Sequence, residues 1–108
     1  MHFKQLEDIK IETNIRGVDS RMMVDIEAAT IKELMLKANE QIPPHQVPVD
    51  VTFFVLEGEG TITIGETKYD VKPHSIVTCP KNTVMSVKAK NNYLAFINIK
   101  TPGFKPTK

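Results

Sequence analysis

The 108-residue chain contains one cysteine, Cys79, so no intrachain disulfide can form and nothing in the sequence marks an oxidising compartment. The cytoplasm is the expected location. No apolar run approaches the roughly 20 residues of a membrane-crossing helix, and Met1–Gln5 is not followed by the apolar stretch of a secretory leader. A membrane partner is therefore not expected. Nor is there an excess of one charge: 14 Lys and Arg stand against 13 Asp and Glu, and the lysines are scattered instead of gathered into the stripe that a phosphate backbone requires. Nucleic acid is set aside on that ground. Internal repeats and low-complexity tracts are also absent, which excludes solenoids and flexible linkers.

What is present is an ordinary globular composition, 41% hydrophobic and 25% charged, in a chain long enough for one core and too short for two. Residues 1–20 mix charges with isolated apolar residues and end in Gly17-Val18-Asp19-Ser20, so they are expected to form an N-terminal arm closing on a turn. Residues 21–108 are expected to form the single domain. From Arg21 onward, β-favouring stretches recur at roughly ten-residue spacing with turn residues between them, the pattern of a sandwich or barrel. The expected strands are Met22–Ile26, Ile31–Lys37, Val51–Glu57, Thr61–Ile64, Lys68–Val71, Ile76–Cys79, Val84–Ala89 and Tyr93–Lys100. Ile31–Ala38 is built largely of helix formers, yet a short helix there would interrupt sheet pairing, so it too is assigned to a strand. Glu57-Gly58-Glu59-Gly60 reads as a hairpin turn joining Val51–Glu57 to the alternating Thr61-Ile62-Thr63-Ile64.

The stretch from Asn39 to Ala89 resembles the paired motifs of the cupins, compact jelly-roll barrels. The first motif of that family opens on a glycine, then places His-x-His, a glutamate and a closing glycine. Here those positions carry Asn39, His45, Val47, Val51 and Gly58. The second motif has Gly, then Pro-x-Gly, a histidine and an asparagine, and here carries His74, Pro80, Asn82, Met85 and Ala89. Asn and His are among the residues that accept a left-handed backbone, so turns at Asn39, His74 and Asn82 can survive the loss of glycine. The resemblance implies an all-β, cupin-like jelly-roll barrel or sandwich with a short N-terminal arm. It also implies a divalent metal in typical members, held by two histidines, a glutamate and a later histidine. Val47, Val51 and Met85 take three of those four positions, so no metal and no other cofactor is expected here.

Positions 45, 47, 51, 53 and 55 are separated by even numbers and can share one strand face, which the resemblance turns toward the barrel interior. His45, Val47, Val51, Phe53, Val55, Cys79 and Met85 are accordingly the candidate pocket residues, with His45 the polar contact. A rim histidine satisfied by water or backbone is the bland alternative, as core filler is for Met85 and a buried structural thiol for Cys79. Asp50, beside the glutamate position, is expected on the opposite face. Glu57 and Glu59 read as solvated turn charges.

The expected function is a metal-free module that binds a small, mostly apolar or amphipathic molecule. One alternative is an isomerase, epimerase or lyase using His45 as acid or base, or a metalloenzyme with unorthodox ligands; another is a side-chain-filled barrel that acts only in assembly. Phe54 and Leu56 extend the apolar run Phe53–Leu56 onto the second strand face, which points to a homodimer or to cover by the N-terminal arm.

Overall fold

Val51, Phe53 and Val55 alternate with Thr52, Phe54 and Leu56, and the first three are almost inaccessible to solvent while the second three are half-buried. That two-sided strand organises the molecule. The computed structural model describes residues 3–105, which form a 3-10 turn at Leu6–Asp8 and ten strands. The strands are β1 (Glu12–Thr13), β2 (Asp19–Ile26), β3 (Ala29–Leu36), β4 (Gln41–His45), β5 (Asp50–Glu57), β6 (Gly60–Ile64), β7 (Thr67–Val71), β8 (Ile76–Cys79), β9 (Met85–Ala89) and β10 (Leu94–Thr101). Two antiparallel sheets result, ordered β1-β2-β3-β10-β5-β8 and β4-β9-β6-β7, a jelly-roll arrangement. Among the described residues no helix is long and apolar enough to cross a membrane.

Local chemistry explains most element boundaries. Asn39, His74 and Asn82 all adopt positive φ, at 65°, 76° and 62°, as expected at the three positions where the resembling motifs have glycine. Asp50 faces away from the core and accepts a hydrogen bond from the Lys81 amide at 3.0 Å, which fixes the turn that carries Pro80. Ile31–Leu36 is strand, since pairing with both β2 and β10 satisfies its backbone and overrides its helical propensity.

The hairpin expected at Glu57–Gly60 is not formed. β5 belongs to the six-stranded sheet and β6 to the four-stranded one, so Gly58, with φ 85°, carries the chain from one sheet to the other. The tight hairpin lies one connection later: Ile64 pairs with Thr67 across Gly65-Glu66, with Gly65 at φ 61°. β4 was not expected at all. Its Pro43-Pro44 pair interrupts the β signal, and it is tolerated because β4 is an edge strand whose register shifts between Ile42 and His45. Within the segment expected as an arm, Glu12–Thr13 pairs with Ser20–Asp19, and Val18 is buried in the core.

The inner faces of the sheets supply the core. Phe53 and Phe96 meet in a tilted pair with centroids 5.7 Å apart, surrounded by Leu36, Val55, Ile62 and Leu94. Such a pair contributes about 0.5–1.5 kcal/mol beyond its burial. On the outer face, Arg21 lies opposite Glu33 in the β2–β3 register and donates to its carboxylate at 3.0 Å. Arg21 also donates through Nε to the Ile9 carbonyl at 3.0 Å, tying the N-terminal segment to β2.

Candidate functional site

Along β3 the inward residues run Lys32, Leu34, Leu36, and along β10 they run Leu94, Phe96, Asn98, Lys100. The strands are antiparallel, with Leu94 opposite Leu36 and Asn98 opposite Lys32. Their apolar ends therefore meet in the closed core and their polar ends meet at the other end of the barrel. A cavity of about 580 Å³ lies there. Its apolar wall comes from Leu34, Ile42, Val47, Phe53, Met85 and Val87, so strands of both sheets contribute.

The polar side of the cavity is cationic. Lys32, Lys100 and Arg16 line it with His45 and Asn98, and among the described residues no carboxylate does. Asn98 lies directly opposite Lys32, which makes Lys100 the diagonal neighbour of Lys32 on the same sheet face, about 7–8 Å away at the backbone and within reach of long side chains. Burial of the Lys100 ammonium, with the Lys32 charge as a second cause, lowers its pKa to about 8. Its partner among the described residues is the face of Phe104, whose centroid is 5.8 Å from Nζ. Arg16 reaches the cavity from the β1–β2 turn, where the Asn14 side-chain oxygen accepts from the amides of Arg16 and Val18 at 2.8 and 3.0 Å.

His45 sits opposite Met85 at the end of β4 and is half-buried. Its Nδ1 lies 2.9 Å from the Pro43 carbonyl oxygen, which can only accept, so Nδ1 carries a proton and, in the neutral ring, Nε2 is the nitrogen with a lone pair to accept a hydrogen bond. No carboxylate orients this ring among the described hydrogen bonds.

Of the residues expected in the pocket, His45, Val47, Phe53 and Met85 line one cavity. Val51, Val55 and Cys79 do not line it; all of these apolar residues are buried in the core, and Val47, Phe53 and Met85 are the ones at the floor of the cavity. The Cys79 thiol lies 3.5 Å from the carbonyls of Pro80 and Thr83, and burial, with the nearby Asp50 charge as a smaller cause, raises its pKa. Lys32, Asn98, Lys100 and Arg16 escaped sequence reasoning. The alternate positions of Leu94–Lys100 are Ala95, Ile97 and Ile99, so both strand faces carry apolar residues and the pattern does not say which face turns inward. A signal did exist in the continuation of Leu94 and Phe96, at the same parity, into Asn98 and Lys100.

The metal that the resemblance implies does not fit this donor set. Val47, Val51 and Met85, at three of the four ligand positions, are buried aliphatic or thioether side chains. Among the described residues no three His, Cys, Asp or Glu side chains cluster in a way that could hold a metal ion.

The family pattern described as Cupin domain matches residues 32–93, which spans most of the cavity wall and both turns at Asn39 and Asn82. This chain belongs to the cupin family. Solved cupin-fold structures are similar over nearly the whole chain. KdgF from Halomonas sp. superposes with a TM-score of 0.87 at 15% identity, covering 94% of each chain. The polyketide cyclase RemF from Streptomyces resistomycificus gives 0.85 at 18%, covering 98% of this cupin and 82% of RemF. A predicted oxalate decarboxylase from Thermotoga maritima gives 0.84 at 16%, covering 94% and 99% respectively. At these identities the likeness is one of fold. No functionally curated protein matches the sequence.

Proposed function

We propose that this cupin is a small-molecule binding module that works without a metal, taking an amphipathic ligand into the barrel with His45 as one polar contact. The cavity carries this reading. A volume of about 580 Å³, with Leu34 and Phe104 half-buried at its wall over the buried Phe53, Met85 and Val87, is in the usual range of ligand sites, and an apolar wall with a few polar groups is their usual make-up. The Nε2 acceptor of His45 offers the ligand a hydrogen bond without needing a charged partner. Cytoplasmic residence and assembly as a homodimer belong to the same proposal, supported by the unpaired Cys79 and by the half-buried outer residues Phe54 and Leu56.

A second reading, in which His45 acts as acid or base in an isomerase, epimerase or lyase, draws support from the enzymes that share the fold, RemF among them. The geometry favours it less, because the ring is held by a backbone carbonyl and no carboxylate among the described residues is hydrogen-bonded to it.

The test uses N-phenyl-1-naphthylamine, a neutral apolar fluorophore that brightens on leaving water. Saturable one-to-one binding is expected, and Leu34→Trp, which fills the cavity from β3, should abolish it while the fold remains intact by circular dichroism. Absence of saturable binding to the unmodified protein, of this probe and of its sulfonated analogue alike, would favour the filled-barrel reading.

A further inference from the structure

The chain is almost neutral, with 14 basic and 13 acidic residues, so a local surplus of cations is not forced by composition. Elsewhere a described basic residue either pairs with a carboxylate, as Arg21 does with Glu33, Lys105 with Asp25 at 2.8 Å, Lys90 with Asp70 at 3.7 Å and Lys37 with Asp19 at 3.9 Å, or is exposed to water, as Lys4, Lys10, Lys68, Lys72, Lys81 and Lys88 are. At the cavity the half-buried Lys32 and Lys100 do neither. Lys32, Lys100 and Arg16 form no ion pair among the described residues, although three strands or turns bring them to one wall. Two lysines placed on neighbouring strands of the same inward face repel each other, and one of them is largely removed from water. The Phe104 ring returns only part of that cost. A fold that keeps such an arrangement beside an apolar-floored cavity has the electrostatics of a site whose counter-charge is supplied by a ligand.

We infer that the ligand of this barrel is a small organic anion, its acidic group received by Lys32 and Lys100 and its apolar body by the Phe53, Leu34, Met85 and Val87 wall. The inference rests on the binding-module reading and specifies the ligand's chemical class. Arg16, on the exposed β1–β2 turn, supplies a third positive charge at the same cavity and attracts the anion toward it. Asn98, between the lysines in the register, adds an amide that can donate to a second oxygen of the acidic group. A ligand hydroxyl or amide would complete the set by donating to His45 Nε2.

Because Lys100 is partly deprotonated just above neutrality, an anion drawn beside it raises its proton affinity, and binding near pH 8 takes up a proton. The other titratable groups that line the cavity are Arg16 from the β1–β2 turn, Lys32 from β3 and His45 from β4; β5 and β9 contribute Phe53, Met85 and Val87, which do not titrate. Affinity for a permanently charged anion should therefore fall as pH rises above about 8.

The experiment compares 8-anilinonaphthalene-1-sulfonate with N-phenyl-1-naphthylamine, two fluorophores that differ by the sulfonate alone. At pH 7 the sulfonate compound should bind about tenfold more tightly or better, the scale of one charge-assisted hydrogen bond. Lys32→Met and Lys100→Met should each shrink that preference several-fold, read as the ratio of the two compounds' affinities within the same variant, so that a change in the apolar lining common to both compounds cancels. Lys100→Met should also flatten the decline of sulfonate binding between pH 7 and pH 10. Equal affinity for the two compounds, or a preference that survives both substitutions, would overturn the anion assignment while leaving the cavity reading intact. Failure of both compounds to bind would instead remove the cavity reading itself.

Discussion

Gly58 passes so close to the backbone of Tyr93 that a Cβ on it would collide with the Tyr93 carbonyl oxygen, and its φ of 85° lies where side chains are rarely found. Both constraints arise because this residue carries the chain from the end of β5 into the other sheet. Neither obstacle can move cheaply, since one is backbone and the other is the residue's own conformation. Gly58→Ala should destabilise the protein by about 2 kcal/mol or more, where Ala at Gly65, which has open space around its Cβ, should cost about 1 kcal/mol. Denaturant unfolding of the two variants checks the ranking.

The same crossing marks the limit of what short-range pattern reveals. Glu57-Gly58-Glu59-Gly60 has the composition of a hairpin turn, and a glycine at positive φ serves equally for a hairpin and for a step between sheets. Pairing is decided by partners distant in sequence: β5 finds β10 and β8, and β6 finds β9 and β7. The strands themselves were legible where β-branched residues alternate, as in Thr61–Ile64, and β4 was hidden by its two prolines. The barrel class and the three left-handed turns followed from the resemblance together with the conformational tolerance of Asn and His. For the site, the apolar half was visible in Val47, Phe53 and Met85. The cationic half was concealed by the apolar residues on both faces of β10.

Purified protein is expected to carry no stoichiometric transition metal, because Val47, Val51 and Met85 give a divalent ion no hard or borderline ligand beside His45. Elemental analysis after dialysis reads this directly. A chelator should leave the melting temperature unchanged, since no metal-binding energy is then linked to folding. A one-to-one metal content that disappears in His45→Ala would contradict the expectation.

Phe54 lies opposite Ile97 in one register and opposite Ile76 in the other, with its ring stacked on His74 at 5.9 Å. Ile76 is 66% exposed, so the outer face of the six-stranded sheet presents a continuous apolar strip. We expect this strip to pair with a second copy of the chain. Light scattering should give about twice the 12.2 kDa chain mass at micromolar concentration, and Phe54→Asp should shift it to the monomer value. A monomeric mass for the unmodified protein would remove the dimer.

Lys100 makes stability depend on pH in an unusual direction. Its pKa falls from 10.5 in the unfolded chain to about 8 in the folded one, first because the ammonium is desolvated and second because Lys32 is near. Below about pH 8 the residue is protonated in both states, and the folded state bears the full cost of holding the charge. Between about 8 and 10.5 the unfolded chain binds a proton here that the folded chain does not, so raising the pH favours the folded state through this group. Above 10.5 the residue is neutral in both states and the cost is gone. Lys100→Met keeps most of the length and packing of the side chain and removes the charge, so it should stabilise the protein at pH 7 by on the order of 1–2 kcal/mol once partial exposure is allowed for. The gain should dwindle as the pH passes from 8 to 10.5. Subtracting the two unfolding curves cancels the titration of the remaining lysines, apart from Lys32, which loses a repulsive neighbour in the variant. A difference that stays flat across that range would show that the Lys100 ammonium remains hydrated in the folded state.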